Sequence, residues 1–256
     1  MLPRMEVERL DDRVAVVTGA GRGFGAAIAA ELAGLGAQVA LLDIDEAAAV
    51  EAAAALPAGQ GHAFACDVGD PASVATAFAA VRAQLGPVDI LVNNAGIVST
   101  TPFLELTEAE WDRVFRIDYT SLYLCCREVA AAMVERGSGR IVNISSLAGK
   151  RGGGFLGKAA YASAKAGVIG FTKALARELA PAGVTVNAVS PGAMDTEMTK
   201  ALRDAPELLA RVVATIPLGA RGTIQDVTDA VVFLCTDAAS YLTGETIDVD
   251  GGVSME

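Results

Sequence analysis

Tyr161 and Lys165 stand four residues apart in "GKAAYASAK", residues 157–165, a run of small residues that predicts a helix. Positions i and i+4 share one helix face, one turn apart, so the phenol and the ammonium are neighbours. An unperturbed phenol has a pKa of about 10, too high for a base near neutrality. An adjacent cation favours phenolate and brings that value toward the working range. The pair is a candidate acid/base for a proton on an alcohol or carbonyl oxygen. It also suits an ordinary exposed helix face, and only the surrounding elements decide between the two.

Those elements alternate regularly. Short β-branched runs at 13–19, 38–43, 62–67, 88–96, 139–146, 184–192 and 246–252 predict strands, separated by longer alanine-rich helical segments. Several runs are apolar at nearly every position, as in strands of a parallel sheet covered on both faces. The alternation predicts an α/β fold, a doubly wound (Rossmann) parallel sheet of about seven strands. Residues 1–256 read as one domain, with 1–10 a short extension and 193–214 a lid over the substrate. Asp70 before Pro71 reads as a helix N-cap, and "TEAE" at 107–110 as a capping box.

Composition narrows the function. The net charge is −11 across 256 residues, with the acids dispersed. That argues against nucleic acid or an anionic membrane as the main partner. No apolar run approaches the roughly 20 residues of a membrane span, and the first ten residues do not read as a signal peptide. Cys66, Cys125, Cys126 and Cys235 lack CxxC spacing, which suggests buried, reduced thiols in a cytoplasmic protein. The single histidine, His62, cannot build a His-rich metal site and weakens a Ser-His-Asp reading. No metal is expected.

The first strand runs into "TGAGRGFG", residues 18–25, and then into a helix. Glycines there let the backbone approach a pyrophosphate, and the helix N-terminus presents free N–H groups to the anion. Asp43 ends the second strand about 20 residues on, where an acid accepts from ribose hydroxyls and repels a 2′-phosphate, favouring NAD over NADP. Arg22, inside the loop, pulls the other way. Asp67, ending the third strand, is placed either to meet the adenine edge or to cap the following helix.

"TGAGRGFG", "NNAG" (93–96), "NISS" (143–146), "YASAK" (161–165) and "SPG" (190–192) resemble, in order, the motifs of the short-chain dehydrogenase/reductase family. The resemblance runs from about residue 10 to 252 and includes the ending "ASYLTGETIDVDGG". It implies NAD(P)-dependent hydride transfer at an alcohol or carbonyl carbon. Tyr161 falls on the family's acid/base, Lys165 on the lysine that tunes it and holds the nicotinamide ribose, and Ser146 on the serine that binds the substrate oxygen. Ser145 should point to the other sheet face. Gly19, Arg22, Gly23, Phe24, Gly25, Asp43, Asp67, Val68, Asn94, Ala95, Gly96, Pro191, Gly192 and Thr196, with Tyr161 and Lys165, fall on the cofactor side, and Asn93 is expected to approach it too.

Two departures stand out. Ser146 precedes Tyr161 by fifteen positions, against about thirteen in many members of the family it resembles. The lengthened segment is glycine-rich and is expected to border the substrate pocket, where Lys150, Arg151 and Lys158 would influence specificity unless it is simply a solvated loop. Asp118 occupies the place of an asparagine that helps hold a proton-relay water, and its carboxylate should favour the charged form of Lys165. Met194, Met198 and Leu202 are candidates for an adaptable inner face of the lid. The leading expectation is an NAD-preferring dehydrogenase of a secondary alcohol or polyol, as a homotetramer. The alternatives are a 3-oxoacyl-[acyl-carrier-protein] reductase using NADPH and a non-catalytic nucleotide-binding protein.

Overall fold

The computed structural model describes residues 9–154, 157–196, 199 and 204–255. Seven strands form one parallel sheet: β1 (Val14–Thr18), β2 (Gln38–Asp43), β3 (Gly61–Ala65), β4 (Ile90–Asn93), β5 (Gly139–Ile144), β6 (Val184–Pro191) and β7 (Thr246–Val249). Their order is β3-β2-β1-β4-β5-β6-β7. The order reverses direction between β1 and β4, which opens a crevice at the carboxyl ends of those strands, where doubly wound sheets bind ligands. All seven strand expectations are met, with β4 and β7 shorter than read. β4 stops because the Asn94 N–H donates to the Thr18 hydroxyl (3.0 Å) instead of a neighbouring strand. β7 stops because the Asp250 side chain gathers the amides that follow it.

Alternate residues of the strands face different helices, the period-two consequence of the pleat. Ala15, Val17, Val39 and Leu41 pack under α1 (Gly23–Gly34) and α9 (Ile224–Cys235), against Ile28, Leu32, Val227, Val231 and Leu234. Val14, Val16, Leu42, Leu91 and Ile141 face the other layer, with Phe78 and Val81 of α3 (Pro71–Leu85) and Leu124 and Met133 of α5 (Ser121–Arg136). The four thiols are buried and free. Loss of hydration pushes the thiols of Cys126 and Cys235 up to about 12, which makes them packing groups. Among the described residues no helix is long and apolar enough to cross a membrane.

Local chemistry sets the helix starts. Asp70 caps α3 through the amides of Ala72 and Ser73 (3.1 and 3.3 Å), with Pro71 in the first turn. Asp67 therefore does not cap that helix; it accepts from the Gly69 amide instead (2.8 Å). The box read at 107–110 is half-formed. Thr107 caps α4 (Glu108–Phe115), but Glu110 accepts from the hydroxyls of Ser99 (2.9 Å) and Thr101 (2.8 Å) rather than from the Thr107 amide. Two hydroxyls from a distant loop outcompete one local amide. A complete box forms at Thr223 and Asp226, at the start of α9.

Candidate active site

The end of the crevice that carries Ser146, Tyr161 and Lys165 is built on β5 and α7 (Ala159–Leu179). β5 ends at Ile144, and Ser146 then caps the short helix α6 (Leu147–Arg151), its Oγ accepting from the Ala148 amide (3.1 Å). Ser145 is buried and donates to the Lys165 carbonyl (2.9 Å), tying α7 to the strand end. The two serines take different partners, Ser145 anchoring α7 and Ser146 capping α6, and both line the cavity rather than parting to opposite faces of the sheet. α6 can lie against α7 because residue 149 is glycine; a Cβ there would stand 2.6 Å from the Lys165 carbonyl carbon.

Lys165 is buried, and its Nζ lies 5.8 Å from the centre of the Tyr161 ring. The ammonium donates to the Ile144 carbonyl (3.0 Å) and stands 3.6 Å from Asp118 Oδ1. Asp118 lies in a wide π-helical turn, Arg116–Thr120, between α4 and α5. Such turns commonly mark functional sites. Its Oδ1 accepts from the Ile97 amide (2.9 Å), as an asparagine oxygen would, so the turn accommodates the acid. Oδ2 is buried with no hydrogen-bond partner. Burial raises the Asp118 carboxyl above its ordinary value, and Lys165 and the Ile97 amide pull it partly back. The carboxylate thus sits behind the lysine, away from the cavity wall. Gly96 admits the pair: a Cβ there would lie 2.5 Å from Asp118 Oδ1 and 3.3 Å from Lys165 Nζ.

The other end of the crevice is the glycine loop. Gly19 (φ +62°) and Gly23 (φ +59°) take left-handed conformations that suit glycine. A Cβ on Gly25 would overlap the Gly19 carbonyl oxygen, so only glycine lets α1 begin this close beneath the loop. Arg22 occupies the N-cap of α1 and provides no side-chain cap, which leaves first-turn amides available to an anion. Asp43 is buried at the end of β2; Oδ2 accepts from the Gly21 amide (2.8 Å) and Oδ1 from the Asp45 amide (3.0 Å). Asn94 Nδ2 donates to the carbonyls of Thr18 (2.9 Å) and Gly19 (3.0 Å), locking β4 to the loop.

One cavity of about 920 Å³ joins both ends. Gly19, Arg22, Gly23, Phe24, Asp43, Asp67, Val68, Asn94, Ala95, Gly96, Ser146, Tyr161, Lys165, Pro191, Gly192 and Thr196 all line it. Three expected residues do not: Gly25 lies under the loop, Asp118 behind Lys165 and Asn93 within the sheet. Asn93, expected both to approach the cofactor and to stabilise the central strand, does only the second. It is buried inside the sheet, donating to Asn143 Oδ1 (2.8 Å), while Asn143 donates to the Thr172 hydroxyl (2.9 Å). A polar side chain at full depth needs partners, and β5 and α7 supply them. Lys150 is also turned from the mouth, paired with Asp248 of β7 (2.8 Å), whereas Arg151 lines the cavity. Within 193–214, the segment expected as a lid, lies α8 (Pro206–Val213), and Met194 lines the cavity. Met198 and Leu202 lie outside the described residues. Arg113, Ile216 and Val253 also line the cavity, and no local sequence signal marks them.

The family described as enoyl-(acyl carrier protein) reductase matches residues 19–254. The chain belongs to the short-chain dehydrogenase/reductase family. It is an NAD(P)-dependent oxidoreductase. It is 42% identical over 248 residues to the 3-oxoacyl-[acyl-carrier-protein] reductase FabG of Escherichia coli strain K12, covering 96% of this chain and 98% of that one. An acetoacetyl-CoA reductase of Shinella zoogloeoides is 43% identical over 243 residues, covering 94% and 98%. The crystal structure of a putative gluconate dehydrogenase from Agrobacterium tumefaciens superposes with a TM-score of 0.91 at 39% identity, covering 97% and 98%.

Proposed function

We propose that this enzyme reduces the ketone of a 3-oxoacyl thioester, carried on a pantetheine arm of acyl-carrier protein or coenzyme A, with NADH preferred over NADPH. The observation that carries the reading is the cavity itself. Around Ser146 and Tyr161 it is walled by Ile97, Val98, Ile117, Leu147, Met194 and Ile216, side chains that suit an acyl chain. A polyol would call for several polar partners there. The two curated relatives are named for 3-oxoacyl and acetoacetyl thioesters, which favours this reading over the polyol one. Arg113 and Arg151, exposed at the cavity, suit the phosphate of a pantetheine carrier.

Ser146 holds the ketone oxygen by its hydroxyl, and Tyr161 gives that oxygen a proton as it becomes an alkoxide. Lys165 keeps positive charge beside the phenol, and the Ile144 carbonyl fixes the ammonium. The nicotinamide, when bound, supplies the hydride. The buried carboxylate of Asp43 favours NADH by repelling a 2′-phosphate at the wall where the ribose sits. Tyr161→Phe keeps the ring and removes the acid. It should lower kcat for acetoacetyl-CoA reduction by about 10²–10⁴-fold with nucleotide binding retained. Full turnover in that variant overturns the mechanism, and absence of thioester reduction by the native protein overturns the substrate class.

A further inference from the structure

The segment that follows β7 leaves the sheet and returns to the cavity, and one side chain organises it. Asp250, 6% exposed, accepts from three consecutive amides: Oδ1 from Gly252 (2.8 Å) and Val253 (3.2 Å), Oδ2 from Ser254 (2.7 Å). Gly251 (φ +68°) and Gly252 (φ +89°) supply the left-handed turns that wrap the backbone around the carboxylate.

The clamp is wedged between two walls of the site. A Cβ on Gly192 would stand 2.7 Å from Asp250 Cβ, so the Pro191–Gly192 turn lies directly against it. On the other side the Leu218 amide donates to the Gly251 carbonyl (3.1 Å), and a Cβ on Gly251 would meet Ile216 Cγ2 at 2.5 Å. The product of this geometry is the position of Val253, half-buried and lining the same cavity as Ser146, Tyr161, Met194 and Ile216. A branched apolar side chain, held by a buried carboxylate at its own amide, is a fixed wall.

We infer that Val253 sets how long or bulky a chain the cavity accepts, and that Asp250 is the positioning residue that holds it there. The inference rests on the proposed reading for its substrate, an acyl thioester, but not for its geometry. A larger residue at 253 intrudes on the cavity and a smaller one enlarges it. Each methylene of misfit in an apolar pocket changes discrimination by roughly 10–200-fold.

The test is a kcat/KM series with 3-oxobutanoyl-, 3-oxohexanoyl- and 3-oxododecanoyl-CoA on the native enzyme, Val253→Phe, Val253→Ala, Asp250→Ala and Asp250→Asn. Val253→Phe should lower kcat/KM for the longest substrate at least about tenfold through KM, with the shortest little changed. Val253→Ala should shift preference toward longer chains. Asp250→Ala, which frees all three amides, should blur chain-length preference. Asp250→Asn should restore it, because an amide oxygen still accepts from Gly252 and Val253. A preference order identical in every variant overturns the inference. The same set is run on simple ketones of graded bulk that carry no thioester. Size-dependent changes there without thioester turnover in any protein overturn the substrate reading and leave the role of Val253 standing.

Discussion

The two ends of the cavity are built in opposite ways. At the glycine loop, nearly every contact comes from residues close in sequence or from neighbouring strand ends: Gly19 to Gly25, Asp43 closing onto Gly21, and Asn94 onto Thr18 and Gly19. At the substrate end, the walls come from Ile97, Leu147, Tyr161, Met194, Ile216 and Val253, delivered by different connections. On the proposed function, the first end holds a ligand of constant shape with backbone groups, which a short motif can specify. The second must fit one substrate among many, and side chains on separate loops can vary without disturbing the sheet. Tyr161 and Lys165 sit at the junction. Lys165 and Ser146 are both tied to the end of β5, so the chemistry is fixed to the scaffold while the walls differ.

The contrast can be broken at the rigid end first. Gly25→Ala drives a Cβ into the Gly19 carbonyl, a backbone atom that cannot swing aside. NADH affinity, read by fluorescence titration, should fall about a hundredfold as the loop is displaced by a fraction of an ångström. Gly170→Ala, in open space on α7, is the control that should leave affinity unchanged. Retained affinity in Gly25→Ala would show that the loop is not the rigid cradle described.

A smaller effect tests the wall of that cradle. Asp43→Asn keeps an oxygen for the loop amides and removes the charge. The ratio of kcat/KM for NADH over NADPH should fall about tenfold, the equivalent of about 1.4 kcal/mol. An unchanged ratio would move cofactor choice to Arg22, exposed at the same cavity.

The smallest effect lies away from both ends, at the α9 box. Thr223→Ala should cost about 1 kcal/mol of stability by denaturant titration without altering kcat. The Asp226 carboxyl is held below its ordinary value by the Thr223 amide and hydroxyl. Its contribution is present above the unfolded-state value and is lost as pH falls through the lowered folded one. The acid limb of the native stability curve should therefore flatten in Thr223→Ala. A catalytic defect in this variant would mean the helix layer reaches the site, contrary to the division drawn here.

Much of this was legible in advance because it is local. The apolar β-branched runs read as strands since both faces of each strand are covered, and the period-two split between Val16 and Val17 follows directly. Asp70 and Pro71 announce a helix start through amides two and three residues away. Reading failed where a distant group supplied the stronger partner. Glu110 leaves its box for Ser99 and Thr101, Asn93 turns to Asn143 and away from the cofactor wall, and Lys150 spends its charge on Asp248.

The sequence by itself determined the sheet and its helices, the glycine loop, and the identities and order of Ser146, Tyr161 and Lys165, because each rests on periodicity, a conformational need of glycine or a one-turn spacing. Only the tertiary structure decided what surrounds them. Asp118 reaches Lys165 from a π-helical turn that lies 47 positions earlier in the chain. Val253 reaches the cavity because Asp250 folds the chain back after β7. Both depend on where strand ends and loops meet in space, and the wall that meets the substrate is assembled from such meetings.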